Sequence, residues 1–124
     1  MDAATPLPKP RRRPKQAARA QGRSEIDALA KQAAAAARTL KLLGNEYRLL
    51  ILCFLIAKGE MKVGDLVDAV GLSQSALSQH LALLREDGLV AFRRASQTLY
   101  YRVSDPRAAR LLKLLKDIYC GDLA

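Results

Sequence analysis

The chain has 124 residues, enough for one small domain with its own core, and its two cysteines are too few for a bridge-dense secreted scaffold. The longest apolar run, Leu49 to Ala57, is far below the roughly 20 residues that span a bilayer, and the N-terminus lacks the uninterrupted apolar segment of a signal peptide. A reducing cytoplasm with no membrane partner is the expectation. Charge is uneven: seven of the 21 Lys and Arg precede Ser24 against one acid, so this segment holds +6 of the formal +9.

Residues 1–23 contain PLPKPRRRPK and almost no large apolar side chain, so nothing offsets the entropy of ordering, and they are expected to form a disordered basic tail. Such a tail is either a solvated extension or an arm that grips DNA phosphates or the minor groove. The structured domain is expected over 24–124. Ser24 can cap a helix through EIDALAKQAAAAARTLKLL, with Ile26, Leu29, Ala33, Ala36 and Leu40 on one side and Gly44 ending it. Asn45 caps the next helix, which runs to Lys58 and Gly59. Apolar residues surround its middle, which predicts a central, buried element.

A short third helix covers Val63 to Val70 and is stopped by Gly71. Ser73 caps a fourth, QSALSQHLALLRED, terminated by Gly88. LVAFRR and TLYYRV then alternate as strands about a turn of Ala95, Ser96 and Gln97. Asp105 and Pro106 open a last helix carrying Leu111, Leu112, Leu115, Ile118 and Tyr119. Two helices joined by Gly71, Leu72 and Ser73, with a basic hairpin behind, make a winged helix-turn-helix: mainly α, with a two-stranded β wing.

On the fourth helix Leu77, Leu81 and Leu84 should face the core, which leaves Ser75, Ser78, Gln79 and Ala82 outward and Gln74 in the first turn. Hydroxyls and amides suit a major groove: Gln can pair with adenine on two atoms, and Ser suits bases or phosphates. Arg93, Arg94 and Gln97, along the first wing strand and its tip, are candidates for phosphate or minor-groove contact. An ordinary amphipathic helix would also show such a polar face; the ordered set of capped helix, glycine turn, capped helix and basic hairpin is more specific. His80, the only histidine, lies on the flank of the apolar stripe and reads as a packed or rim residue. No nucleophile, base and orienting group occur together, so an enzyme is not expected.

The stretch GDLVDAVGLSQSALSQHLALLREDGLVAFRRASQTLYYRV resembles the DNA-binding half of the ArsR/SmtB bacterial repressors, and the likeness extends over about residues 38–120. The resemblance implies a homodimer, formed through the first and last helices, that binds double-stranded operator DNA and leaves it when an inducer arrives. It places Gln74, Ser75, Ser78 and Gln79 at base-reading positions and Arg93 and Arg94 in the wing. The family's metal sites are not matched. Lys62 and Gly64 stand where arsenic and cadmium sensors have cysteines. Asp105 is retained on the last helix, but Arg107, Ile118 and Gly121 replace the other zinc ligands. No metal or cofactor is therefore expected.

Cys53 and Cys120 remain. Taken alone, Cys53 in LLILCFL reads as a core residue beside Leu49 and Ile56, with Cys120 the more accessible sulfur. In position and context, ILC in the second helix and IYC in the last, the pair resembles the cysteines of the family's sulfide-responsive branch, the BigR and SqrR type. That likeness implies a dithiol sensor of reactive sulfur species. A thiolate attacks a sulfane sulfur to give a persulfide, and the second thiol closes a bridge that can hold additional sulfur atoms. The alternatives are a thiol-disulfide redox sensor, a metalloid sensor using the same cysteines, and a structural domain that binds nucleic acid nonspecifically.

Overall fold

The computed structural model describes residues 15–121, with side chains from residue 22 onward. Among these residues the elements are α1 (Lys15–Leu43), α2 (Glu46–Lys58), β1 (Met61–Lys62), α3 (Val63–Val70), α4 (Gln74–Glu86), β2 (Val90–Ala95), β3 (Thr98–Val103) and α5 (Pro106–Cys120). The chain divides into two compact units, Met1–Ala37 and Arg38–Ala124. No helix among the described residues is long and apolar enough to cross a membrane.

The first helix begins at Lys15, so Ser24 lies in its interior and does not cap it. The reason is local: QAARAQ is built from alanine, arginine and glutamine, all strong helix formers, and the helix propagates through Gly22 and Ser24 at a cost of about 1 kcal/mol or less for each. Residues 15–23, expected to belong to the disordered tail, are helical, and the rest of that tail, 1–14, lies outside the described residues. In the first unit Ile26 and Leu29 are both more than half exposed.

In the second unit the expected caps form. Asn45 Oδ1 accepts from the backbone N–H groups of Tyr47 and Arg48 at 3.0 and 3.1 Å, and Ser73 Oγ accepts from Ala76 N–H at 3.1 Å. Asp105 Oδ1 accepts from Arg107 N–H at 2.9 Å, ahead of Pro106 in the first turn of α5. Burial alone would raise the Asp105 carboxyl, but the backbone and side-chain hydrogen bonds from Arg107 hold it below its ordinary value. The core gathers Ile51, Leu52 and Leu55 of α2, Leu66 of α3, and Leu77, Leu81 and Leu84 of α4. Leu89, Val90 and Tyr101 of the hairpin join them, with Ala108 and Leu112 of α5.

Three features differ from the sequence-based expectation. The second helix is buried on one side only: Ile51, Leu52 and Leu55 are fully enclosed, whereas Tyr47, Leu50, Cys53 and Ile56 are exposed. An apolar circumference leads to burial all round only where neighbouring elements surround it. Here α3, α4, β3 and α5 pack against α2 and leave a face exposed among the described residues. The sheet has a third strand, β1, giving the order β1-β3-β2; its two residues are too few to show an alternation. The wing turn is also shorter than expected. Ala95 belongs to β2 and pairs with Thr98, leaving Ser96 and Gln97 at the tip. Ser96 adopts φ +60° there, as the first central residue of a tight hairpin turn does in the form that glycine favours.

Candidate DNA interface and dithiol

Helices α3 and α4 meet through a three-residue turn whose first residue, Gly71, sits in the left-handed region (φ +81°, ψ 29°), where a side chain would be strained. Gly71 N–H donates to Val67 O at 2.9 Å, closing α3 and releasing the chain toward Ser73 and α4. Leu77, Leu81 and Leu84 anchor the inner face of α4 at 1% exposure or less, which fixes the rotation of the helix. Its outer face presents Gln74, Ser75, Ser78, Gln79 and Ala82, all exposed. The polar face expected from the sequence is therefore turned to solvent on a rigid element, as a reader of base edges must be.

His80, next to Gln79, is half-buried. Its ring centroid lies 6.2 Å from that of Tyr47, and its Nδ1 is 3.4 Å from an Arg48 Nη1 that can donate to it. Arg48 Nε also donates to Leu42 O at 2.6 Å, at the end of α1. Burial, and then the Arg48 charge, hold His80 below its ordinary value near 6.5. For a depressed pKa, stability is fully present above the ordinary value and is lost as pH falls through the folded one. Urea midpoints should stay level from pH 8 to 7 and decline below about pH 6.5. In His80→Gln that decline should shrink; an unchanged profile would remove His80 as its source.

The wing presents Arg94 and Gln97 exposed, with Gln97 in the tip turn. Arg93 is also exposed, but its guanidinium is engaged. Nε and Nη2 donate to the two Glu60 carboxylate oxygens at 2.8 and 2.9 Å, and the group lies 4.5 Å from the Tyr100 ring centroid. The hydrogen bond from Arg93 holds the Glu60 carboxyl below its ordinary value and in return raises Arg93. The sequence reading missed Glu60. It lies 33 positions from Arg93, and no local pattern links the two.

Cys53 is in the third turn of α2 and Cys120 ends α5; both are free and exposed. Helices α2 and α5 pack together. Partial burial first, then a charge on Cys120, push the Cys53 thiol up, while the Lys116 ammonium acts in the opposite sense. The packing of α2 against α5 brings together the helices that carry these two sulfurs, 67 positions apart in the chain.

Comparison with known proteins agrees with the fold. The model of the bacterial regulatory protein arsR family matches residues 45–91. The transcriptional activator HlyU of Vibrio cholerae is 45% identical over 95 residues, covering 77% of this chain and 87% of that protein. The reduced form of that protein superposes with a TM-score of 0.71 at 46% identity, covering 75% of this chain and 97% of that one. The transcriptional repressor BigR of Xylella fastidiosa gives a TM-score of 0.69 at 38% identity, covering 77% of this chain and 96% of that one. A homodimeric winged helix-turn-helix DNA-binding domain from Mycobacterium bovis gives 0.68 at 34% identity, covering 78% and 89%.

Proposed function

Because the chain belongs to the arsR family of bacterial transcription regulators, a family of DNA-binding proteins rather than enzymes, we propose that it is a dithiol-controlled repressor whose ligand is a reactive sulfur species. In the reduced state a homodimer binds operator DNA; a bridge between Cys53 and Cys120 within each subunit releases it and frees genes for sulfide detoxification. The observation that carries this reading is the packing of α2, which bears Cys53, against α5, which ends in Cys120. The exposed Leu114, Ile118 and Tyr119 of α5 support dimerisation, as does the homodimer of the relative from Mycobacterium bovis. Gln74, Ser75, Ser78 and Gln79 would read bases in the major groove, and Arg94 and Gln97 would meet the backbone or minor groove beside them.

The chemistry balances without an outside oxidant. One thiolate attacks the sulfane sulfur of a persulfide, forming a new S–S bond and expelling the donor thiolate; the second thiol then attacks the chain and expels hydrogen sulfide. Two thiols and n sulfane sulfurs, with n at least two, thus yield a bridge with n − 1 additional sulfurs and one hydrogen sulfide, one sulfane sulfur being reduced to sulfide as the thiols are oxidised. The crosslink ties α2 to the helix that would form the dimer interface. It thereby changes the spacing of the two recognition helices against major grooves about 34 Å apart.

The test is binding to a duplex that the reduced protein selects from a random-sequence pool. Glutathione persulfide should release that duplex, diamide should release it far less, and dithiothreitol should restore binding. Equal release by diamide would favour a thiol-disulfide redox sensor, and no release by either would refute the dithiol switch.

A further inference from the structure

The Arg93–Glu60 pair joins the wing to the segment that links α2 and β1. Glu60 follows Gly59, whose φ of +82° breaks α2 and turns the chain toward the sheet. Strand β1 then offers only two residues to β3, Met61 opposite Tyr101 and Lys62 opposite Tyr100. Arg93 of β2 is also opposite Tyr100, so Arg93, Tyr100 and Lys62 form one row across the sheet. The Arg93 side chain crosses Tyr100 and ends on the carboxylate just before β1, spanning about two strand spacings, or roughly 10 Å. The helices hold the base of the sheet, and beyond that base β1 adds only these two ladder pairs to the hairpin. A bidentate guanidinium–carboxylate contact stacked on an aromatic ring has fixed geometry and resists pivoting of the hairpin.

We propose that Glu60, two residues beyond the end of α2, holds Arg93 as a bracket that sets the attitude of the wing in which Arg94 and Gln97 meet DNA. Arg93 is then a positioning residue and not a phosphate contact. The proposal deepens the reading of the wing as a DNA contact and is independent of the dithiol, although α2 carries both Cys53 and, through Gly59, the bracket.

The reduced protein and its selected duplex, titrated at several salt concentrations, provide the test. Arg94→Ala should lower the salt slope by about one, which establishes that the wing meets phosphate. Glu60→Gln and Arg93→Gln should each weaken binding about three- to tenfold, within the range of a coupling contact, and leave the salt slope unchanged. The double exchange Glu60→Arg with Arg93→Glu should recover most of the loss. If Glu60→Gln tightens binding, or Arg93→Gln lowers the slope by about one, Arg93 is a phosphate contact that Glu60 restrains, and the bracket is refuted. It is refuted equally if both substitutions are silent while Arg94→Ala is not. A silent Arg94→Ala would remove the wing contact itself.

Discussion

Cys53→Ser is expected to bind the selected duplex as tightly as the reduced wild type and to remain bound when glutathione persulfide is added. The wild type should lose about 5- to 150-fold in affinity under the same treatment, the range of ordinary allosteric couplings. Because Cys53 is exposed and no hydrogen bond of the fold depends on its sulfur among the described residues, the substitution should change stability by no more than about 0.5 kcal/mol. Cys120→Ser should behave in the same way, since either thiol alone can accept sulfur but neither can close a bridge. Burial raises the Cys53 thiol, so attack by that sulfur should quicken as pH rises above neutrality. Release of Cys53→Ser by persulfide would break the sensor assignment and leave the DNA-binding assignment standing.

The second large effect concerns base reading. Gln79→Ala should cost about 1–3 kcal/mol, the value of one bidentate pair with a base, and only on the selected duplex. Affinity for scrambled DNA should hardly move, and the salt slope should stay fixed because no phosphate contact is lost. Gln79 is exposed and faces away from Leu77, Leu81 and Leu84, so the helix itself should survive the change. Equal loss on selected and scrambled DNA would instead indicate a nonspecific nucleic-acid-binding domain.

Much of this was legible in the sequence because it depends on short-range rules. Asn45, Ser73 and Asp105 cap helices through bonds to residues two or three positions away, and Gly71 marks its turn through its own φ. The inner stripe of α4 follows from helical period, and the outward placement of Gln74, Ser75, Ser78 and Gln79 follows from that stripe. Ser24 does not mark the start of the first helix, because the segment of helix-forming residues before it is itself helical. Features that depend on distant partners were not legible. The exposure of Cys53 reflects which sides of α2 other elements cover, and β1 exists only because β3 pairs with it. Arg93 could be placed on the wing from its neighbours, but its engagement by Glu60 arises from the folded sheet.

The most direct test is the intact mass of protein recovered after persulfide has released it from DNA, followed by peptide mapping of the same sample. The account predicts a mass raised by whole sulfur atoms less two hydrogens, with the Cys53 and Cys120 peptides joined within one chain. A loss of two hydrogens with no added sulfur, or a bridge between two chains, would contradict it.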